Sequence, residues 1–437
     1  MLDKEEINRI THTCSISNHP VSKLPMEIRE NYLQGLRAVL PMTNPYMKVL
    51  FKAWEKSILG QSQRISYVSG DTNNKVRAAI KSNRINGHWI RLSYPFFFDC
   101  FYLTSLCKSG MLHRQLELYN GYCNFITRKH LRDVYGYFMG YHLCDKIPVE
   151  LIRHKEINEQ FAAEPLKRIL VVANVSAGKS TLINALVGRE LNKTATNVCT
   201  KDLCYVFNKP LLDGATVKTR NESKYKYVDS FDQCLSDVGE QIGVYFHSGL
   251  LQGKKICFID TPGFNNARNT EHGIITEQAI KGNEYDAIMY VANATNMAVD
   301  DEHRLMELIV HNAKKPIVFV MNRLDEFKPQ DDSIENSILK YSQDIMQFGV
   351  KSPTIVPVSA RVAFLERLNN QNLLNEEEQD ELERYKRRFE KKYYNLPIYI
   401  KGEKETPSNY LIDKSGIALL EDIIITLTEK LIQNEED

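Results

Sequence analysis

The sequence predicts an α/β fold in which a doubly wound, mostly parallel sheet follows a mostly helical domain. The first observation is a series of short apolar runs after residue 165, each followed by polar or turn-forming residues. Such runs are typical of buried parallel strands. The second observation is that apolar residues before residue 150 recur at helical spacing. The four runs that carry the argument are Ile169–Val172, Ile256–Ile259, Pro316–Met321 and Ile355–Val358.

The first run leads directly into a phosphate-loop pattern. Residues 173–181 read Ala-Asn-Val-Ser-Ala-Gly-Lys-Ser-Thr, and an apolar helix pattern follows. In such a loop, backbone N–H groups wrap a phosphate at a helix N-terminus, a lysine reaches the terminal phosphates and a hydroxyl ligates Mg²⁺. Ala173 replaces the usual first glycine, which costs little if φ stays negative. A strand–turn–helix without nucleotide is the plainer alternative, and the strand and helix context argues against it. The candidate nucleotide-binding residues are Asn174, Val175, Ser176, Ala177, Gly178, Lys179, Ser180 and Thr181.

A second motif follows the next apolar run, where residues 260–263 read Asp-Thr-Pro-Gly. In nucleoside triphosphate sites this pattern places a carboxylate beside Mg²⁺ and a glycine N–H at the γ-phosphate. Alone, the same residues also suit an ordinary turn, because Asp, Pro and Gly are turn formers. After a buried strand, we expect Asp260 to support the Mg²⁺ shell through water and Gly263 to meet the phosphate.

A third motif, Asn-Arg-Leu-Asp at residues 322–325, indicates the base. A carboxylate at Asp325 accepts from guanine N1–H and the N2 amine together, and adenine offers neither in that geometry. Asn322 and Asp325 are therefore the candidate guanine-selecting residues. Arg323 stands where Lys is commoner, and its stem suits the face of the base. Asn and Asp are common after strands in any protein, so this motif is weak alone.

A fourth motif, Val-Ser-Ala, ends the fourth run, and the backbone of Ser359 and Ala360 is expected to touch guanine O6. This signal is also weak by itself. The four motifs together occur in the right order, each after an apolar strand, and this order predicts a P-loop fold that binds GTP.

The order and the sequences of these motifs resemble those of the dynamin superfamily of large GTPases, especially its bacterial members. Residues 174–185, Asn-Val-Ser-Ala-Gly-Lys-Ser-Thr-Leu-Ile-Asn-Ala, are similar to the loop of the bacterial branch. Residues 290–295 with Asp300 and Asp301 continue the likeness. The resemblance covers roughly residues 165–360, and 415–421 would begin the last helix of the G domain. It does not cover the first 150 residues.

The resemblance implies further site residues. Residues 197–200 are similar to the family's first switch segment, so Thr200 would ligate Mg²⁺ and sense the γ-phosphate, with Thr196 as the competing candidate. Candidate catalytic residues are then Lys179, Ser176 and Thr200. The metal ligands would be Ser180, Thr200 and, through water, Asp260. The family's loop serine helps to hold a monovalent cation, which makes K⁺ a candidate cofactor beside Mg²⁺.

The chain also departs from the family. Val175 stands where dynamins often carry Gln, and Phe264 follows Gly263 where small GTPases carry a water-positioning Gln. No residue can therefore be named that orients the attacking water. In the family, paired G domains complete the site, which implies a second copy or a partner GTPase. A dynamin stalk would have to come from the N-terminal region or be absent.

Composition points to an intracellular protein. The nine cysteines form no C-x-x-C pair, which argues against a zinc site or a disulfide framework. No signal peptide begins the sequence, and no apolar run approaches the ~18 residues that a membrane span needs. We therefore expect a cytoplasmic protein without a transmembrane segment. Residues 1–150 hold 20 Lys and Arg against 12 Asp and Glu, and such a basic region suits an acidic surface, internal docking or solubility alike.

The N-terminal region is expected to be helical. The domains predicted are 1–150, a basic helical domain of unknown role; 151–165, a connecting helix; and 166–437, the G domain with a charged helical insertion near 366–400. The expected helices are 26–40, 47–59, 96–106, 112–141 and 149–163, with a break near Gly121, Gly136 or Gly140 in the fourth.

Two stretches allow more than one interpretation. Residues 88–98 combine Trp, Tyr, Phe and Arg, which suits a membrane interface, although the same residues commonly pack in cores. Residues 376–394 place Leu382, Tyr385 and Phe389 at helical spacing among charges, which favours a surface helix over a partner contact.

The function predicted from the sequence is hydrolysis of GTP to GDP and phosphate by a dynamin-like GTPase with nucleotide-coupled dimerisation. Peripheral membrane contact is a candidate property. The alternative is a GTP-dependent switch that binds a protein or RNA partner without remodelling membranes, such as an Era-like ribosome-assembly factor. No RNA-binding fold is recognisable after the G domain, so a nucleic-acid partner is not expected.

Overall fold

The computed structural model describes residues 3–60, 65–85, 87–107, 112–191, 202–219, 225–228, 241–264, 271–296, 300–401 and 410–436. The contacts divide the chain into two compact units. We call residues Leu2–Glu164 with Lys209–Cys234 the helical unit, and Pro165–Asn208 with Leu235–Asp437 the sheet unit.

The helical unit consists mainly of α-helices with two short hairpins. Its helices are α1 Lys4–Thr11, α2 Met26–Val39, α3 Pro45–Leu59, α4 Thr72–Ile80, α5 Ser93–Leu106, α6 Leu112–Asn120, α7 Phe125–Phe138 and α8 Val149–Ala163. Its strands are β1 Asn83–Ile85, β2 His88–Ile90, β5 Ala215–Lys218 and β6 Tyr225–Val228, and β1–β2 and β5–β6 each pair antiparallel.

Side-chain caps explain where several of these helices begin. Asp3, Asn44 and Asp71 each accept a hydrogen bond from a backbone N–H in the first turn of the following helix. Asn124 and Thr127 form a reciprocal capping box at the start of α7. Caps of this kind satisfy N–H groups that a helix leaves without an acceptor. The predicted helix 112–141 is therefore two helices, with the chain turning near Gly121.

The aromatic stretch at 88–98 divides between surface and core. Trp89 on β2 is 69% exposed, whereas Phe96, Phe97 and Phe98 on α5 are fully buried. Most of the aromatic mass thus packs in the core of the helical unit. None of the helices in the part of the chain that the structure describes has the length and apolar content to cross a bilayer.

The sheet unit is a doubly wound α/β layer. Its strands are β3 Lys167–Ala173, β4 Cys204–Asn208, β7 Gln241–Val244, β8 Ile256–Asp260, β9 Ala287–Asn293, β10 Ile317–Asn322 and β11 Thr354–Pro357. They lie in the order β11-β10-β9-β3-β8-β4-β7. All neighbouring pairs from β11 to β8 are parallel, and β4 runs antiparallel to β8.

Helices connect and cover these strands. They are α9 Lys179–Val187, α10 Glu271–Gly282, α11 Asp300–Asn312, α12 Ile334–Gln347, α13 Ala360–Asn369, α14 Glu376–Phe389, α15 Ile398–Lys401, α16 Leu411–Lys414 and α17 Ile417–Glu436. The predicted α/β fold with a mostly parallel sheet, together with a helical N-terminal region, is confirmed. The hairpin β5–β6 falls in the helical unit by its contacts, and the assignment of domains at 1–150, 151–165 and 166–437 stays a prediction.

Buried polar contacts fix the helix that follows the phosphate loop. The Arg367 guanidinium pairs with the Glu421 carboxylate and donates to the Ala185 carbonyl, which joins α13, α17 and α9. Both side chains are buried. Because buried charges are costly unless they are paired, this contact holds the three helices in a single arrangement.

Candidate functional site

All four sequence motifs lie at one edge of the sheet. Strands β3, β8, β10 and β11 end at Ala173, Asp260, Asn322 and Pro357, and each motif begins at or just after that end. These strands belong to the parallel part of the sheet, so their carboxyl ends face the same side. Crevices beyond the carboxyl ends of parallel strands are the usual ligand sites of doubly wound folds.

The phosphate loop has the backbone that anion binding requires. Ser176 and Gly178 adopt left-handed φ angles of 68° and 85°, and α9 begins at Lys179. The first helical hydrogen bond runs from Leu182 N–H to the Gly178 carbonyl at 2.9 Å. The N–H groups of Lys179, Ser180 and Thr181 therefore project from the helix end without a helical acceptor. Ala173 ends β3 with a φ that is not positive, so it replaces glycine there without strain.

Two backbone N–H groups of the loop donate hydrogen bonds to carbonyls within the protein. The Val175 N–H donates to the Phe264 carbonyl at 3.3 Å, and the Ala177 N–H donates to the Asn174 carbonyl at 3.3 Å. Phe264 in turn donates its N–H to the Ala173 carbonyl at 3.0 Å. The segment after Gly263 is thus fastened to the phosphate loop. The Val175 side chain remains exposed, whereas Phe264 is buried.

The predicted lysine and carboxylate contact each other. Lys179 Nζ donates to Asp260 Oδ1, and both side chains are largely buried. The Thr261 hydroxyl holds the strand end by donating to the Val171 carbonyl at 2.8 Å. A phosphate ligand would draw the ammonium away and free the carboxylate for a cation.

A magnesium ion fits the donors at this place. The Ser180 hydroxyl on the first turn of α9 and the Asp260 carboxylate at the end of β8 would supply oxygen ligands, which Mg²⁺ prefers. Mg²⁺ is usually bound by only one or two protein groups together with phosphates and water. The remaining predicted ligand, Thr200, and its competitor, Thr196, lie outside the described residues.

Asn322, at the end of β10, joins the phosphate loop to the start of α13. Its Nδ2 donates to the Ala177 carbonyl at 3.0 Å, and its Oδ1 accepts from the Ala360 N–H at 3.1 Å. The side chain is buried. A Cβ placed on Gly178 would lie 2.4 Å from Asn322 Nδ2. Only glycine therefore permits this close approach, and the positive φ at Gly178 favours glycine as well.

Both carboxylate oxygens of Asp325 accept hydrogen bonds. Its Oδ1 accepts from the Ser359 hydroxyl at 2.5 Å, and its Oδ2 accepts from the Tyr385 hydroxyl at 3.1 Å. The Ser359 N–H donates to the carbonyl of Ser415, the residue that follows α16, at 2.9 Å. Arg323 has a left-handed φ of 68° and pairs with Glu326 at 3.1 Å, with part of its side chain exposed.

The structure adds one residue to this edge of the sheet that the sequence analysis did not find. Glu302 on α11 accepts from Asn174 Nδ2 at 2.9 Å and from the Tyr290 hydroxyl at 2.6 Å. Burial raises the pKa of the Glu302 carboxyl above its ordinary value, against the lowering effect of the two hydrogen bonds. Glu302 thus fixes the Asn174 side chain of the phosphate loop to α11. No sequence pattern marks it, except that it follows Asp300 and Asp301, whose side chains lie outside the described residues.

The predicted residues are thus brought to one edge of the sheet wherever the structure describes them. Their roles in nucleotide binding, metal binding and catalysis stay predictions. Within the described residues, no group of three or more His, Cys, Asp or Glu side chains is placed to hold a metal on its own.

Comparison with known proteins finds similarity to GTPases. The sequence profile of the dynamin family matches residues 169–324. A bacterial dynamin-like protein of Nostoc punctiforme is 27% identical over 183 residues, 37% of this chain and 25% of that protein. The GTPase Era of Haemophilus influenzae is 24% identical over 223 residues, 50% of this chain and 58% of Era. The chain therefore spans about a quarter to three-fifths of the length of these curated relatives.

A solved structure of an oligomerised bacterial dynamin pair covers 97% of this chain and 62% of its own, with 14% identity and a TM-score of 0.36. At that score the structural likeness carries no weight, and the similarity rests on the sequence matches. The match covers the phosphate loop, Asp260 and Asn322, which converge in the structure. Over residues 169–324, the chain is therefore similar to the dynamin family.

Proposed function

We propose that the chain binds GTP with Mg²⁺ and hydrolyses it to GDP and phosphate. The observation that carries the proposal is the double hydrogen bond of Asn322, which joins the phosphate loop to the loop of Ala360. One side chain thereby sets the distance between the phosphate site and the base site. Asp325, fixed by Ser359, then stands as the guanine acceptor.

Each group has a role that follows from its position. Lys179 would exchange Asp260 for the terminal phosphates, and the N–H groups of Ser180 and Thr181 would bind phosphate oxygens at the helix end. Ser180 and Asp260, with Thr200, would hold Mg²⁺, which neutralises charge on the phosphates when bound. Lys179 thus binds and orients the triphosphate, and it remains the leading candidate for charge stabilisation.

Turnover requires a group that positions the attacking water, and none is identified among the described residues around the phosphate loop. Val175 presents an apolar exposed side chain and Phe264 a buried ring. The dynamin resemblance and the small-GTPase pattern would place a glutamine at these two positions. We infer that a second G domain completes the site, so that hydrolysis is coupled to dimerisation. Ser176, on a left-handed turn at the loop tip, is the candidate ligand for K⁺.

Phosphate release measured over a series of protein concentrations tests this proposal. The rate per molecule should rise with concentration, and it should be higher in potassium than in lithium buffer. Ser176→Ala should lose the potassium response and retain GDP binding, whereas the exposed Ser352→Ala should behave as wild type. A constant rate per molecule would contradict the dimer and favour a monomeric switch with a separate activator.

The switch is the second candidate, because GTPase Era matches half of the chain. Co-sedimentation with anionic liposomes, with and without a GTP analogue, separates the two. Nucleotide-dependent binding supports a peripheral, cytoplasmic-side membrane role, and its absence favours a protein or RNA partner.

A further inference from the structure

The inserted helix α14 reaches the base-reading carboxylate. Tyr385 on α14 donates its hydroxyl to Asp325 Oδ2 at 3.1 Å, opposite the Ser359 hydroxyl on Oδ1. With both contacts in place, Asp325 is only 5% exposed. A tyrosine from a charged surface helix thus forms one wall of the site that selects the base.

The helix that carries Tyr385 is rigidly attached. Glu381 accepts from Arg361 through both carboxylate oxygens, at 3.0 and 2.5 Å, which ties α14 to α13. Leu382 and Phe389 on the same stripe are buried with Val362. A bidentate pair and an apolar stripe together specify one position of a helix better than either alone.

The same insertion also fixes the loop after Asp325. Arg388 Nη2 and the Tyr394 hydroxyl both donate to the Phe327 carbonyl, at 2.5 and 2.8 Å. The loop that carries the carboxylate is therefore held at its start by Ser359 and at its end by the insertion. These contacts argue that α14 is a fixed part of the site rather than a mobile cover.

The hydrogen-bonding capacity of Asp325 leaves room for guanine. Each carboxylate oxygen has about two acceptor positions. Ser359 uses one on Oδ1 and Tyr385 uses one on Oδ2, so one position remains on each oxygen. Guanine brings two donors, N1–H and the N2 amine. Burial and the Asp325 charge also raise the pKa of Tyr385 above its ordinary value, so the phenol remains a donor at neutral pH.

We propose that Tyr385 is a specificity-determining residue that orients the Asp325 carboxylate for two-point recognition of guanine. This inference rests on the proposed function, because it assumes that guanine binds at Asp325. It assigns a role in the base site to an inserted helix whose charged face otherwise suggests only a solvated surface. In the alternative arrangement, the Tyr385 phenol occupies the position of the base and must move away before guanine binds. That arrangement predicts that GDP affinity rises when the hydroxyl is removed.

The test is Tyr385→Phe, which removes one hydroxyl and keeps the ring. GDP affinity should fall by about tenfold, the value expected for a hydrogen bond to a charged group. The ratio of GDP to inosine diphosphate affinity should also fall towards one, because inosine lacks the N2 amine. A general loss of folding would lower both affinities without changing this ratio.

The matched control is Tyr393→Phe. Its hydroxyl belongs to the same insertion and donates to the Asp332 carbonyl at 3.0 Å, away from Asp325. It should leave both affinities and their ratio unchanged. If Tyr385→Phe does not fold, Glu381→Gln weakens the Arg361 clamp instead and should lower the ratio in the same direction.

Three results separate the possibilities. An unchanged GDP affinity and ratio in Tyr385→Phe, with a guanine-selective wild type, overturns this inference alone. Tighter GDP binding overturns it in favour of competition by the phenol. A wild type that shows no preference for guanine nucleotides contradicts the proposed function, and this inference fails with it.

Discussion

The Asn322 side chain donates from Nδ2 to the Ala177 carbonyl at 3.0 Å, so the end of β10 and the phosphate loop share one buried hydrogen bond. The same side chain accepts from the Ala360 N–H through Oδ1. A single amide therefore links the phosphate loop to the start of α13, and this link is the basis of the first two predictions.

Asn322→Ala should weaken GDP binding and lower the free energy of unfolding. The substitution leaves the Ala177 carbonyl and the Ala360 N–H without these partners, at about 1–3 kcal/mol for each buried group. Fluorescent GDP titration and urea unfolding measure the two effects. Asn336→Ala, on the exposed face of α12, is the control. Wild-type affinity in Asn322→Ala would show that the two loops are spaced by other contacts.

Gly178→Ala should impair nucleotide binding more than a typical glycine substitution. The new Cβ would lie 2.4 Å from Asn322 Nδ2, and φ is 85°, where a side chain costs about 1–2 kcal/mol. Gly282→Ala provides the control, because a Cβ added there would have no atom within 4 Å and φ is ordinary. GDP affinity and melting temperature are measured for both. Equal affinities would contradict the close approach.

The sequence predicted the sheet and the edge at which the motifs meet, because each motif follows directly on a buried strand. Local order was enough to place Lys179, Asp260 and Asn322 at one edge, since parallel strands share a carboxyl side. It could not reveal the contacts of Glu302 and Tyr385 with the site, because each reaches the site from a helix distant in the chain. The helical spacing of Tyr385 indicated only its place on a helix. Whether an amphipathic stripe such as Leu382–Phe389 faces a core or a partner also depends on tertiary packing.

The helical region was less predictable for the same reason. The apolar spacing at 26–40 and 149–163 identified helices α2 and α8 nearly to the residue. The short helices α1 and α4 and the hairpin β1–β2 were missed, because they carry few apolar residues. Their positions depend on caps such as Asp3 and Asp71 and on contacts with the rest of the unit.

Glu302→Gln should remove part of the pH dependence of stability. Burial raises the native pKa of Glu302 above its ordinary 4.5, so the native state holds this proton more tightly than the unfolded chain. The stability from this group is therefore full below pH 4.5 and is lost as pH rises through the raised native pKa. Unlike the wild type, Glu302→Gln should lose no stability through this group above that pH.

Urea unfolding of both proteins at steps from pH 4.5 to about pH 7 measures this difference. Glu307→Gln lies on the exposed face of the same helix and serves as the control. Parallel curves for the wild type and Glu302→Gln would contradict a raised pKa at this carboxyl. GDP affinity should be retained, because the glutamine oxygen still accepts from Asn174.

Asp325→Asn should change the base preference. The amide keeps one acceptor and gains a donor, so guanine loses a charged acceptor worth about 1.5–3 kcal/mol, and xanthine gains a partner for its extra carbonyl. Competition between GDP and xanthosine diphosphate measures the shift. Asp331→Asn, which is exposed, is the control. Retained selectivity for GDP in Asp325→Asn would place base recognition elsewhere.

The most direct test is a titration of wild type and Lys179→Ala with fluorescent GDP, followed by competition with GTP and ATP. The Lys179 ammonium pairs with Asp260 in the structure and is the cation of the loop that a phosphate would meet. We predict that GTP displaces the probe from the wild type, that ATP does not, and that Lys179→Ala binds the probe weakly or not at all. Near-normal binding by Lys179→Ala, or equal displacement by ATP and GTP, would contradict a guanine-nucleotide site at this edge of the sheet.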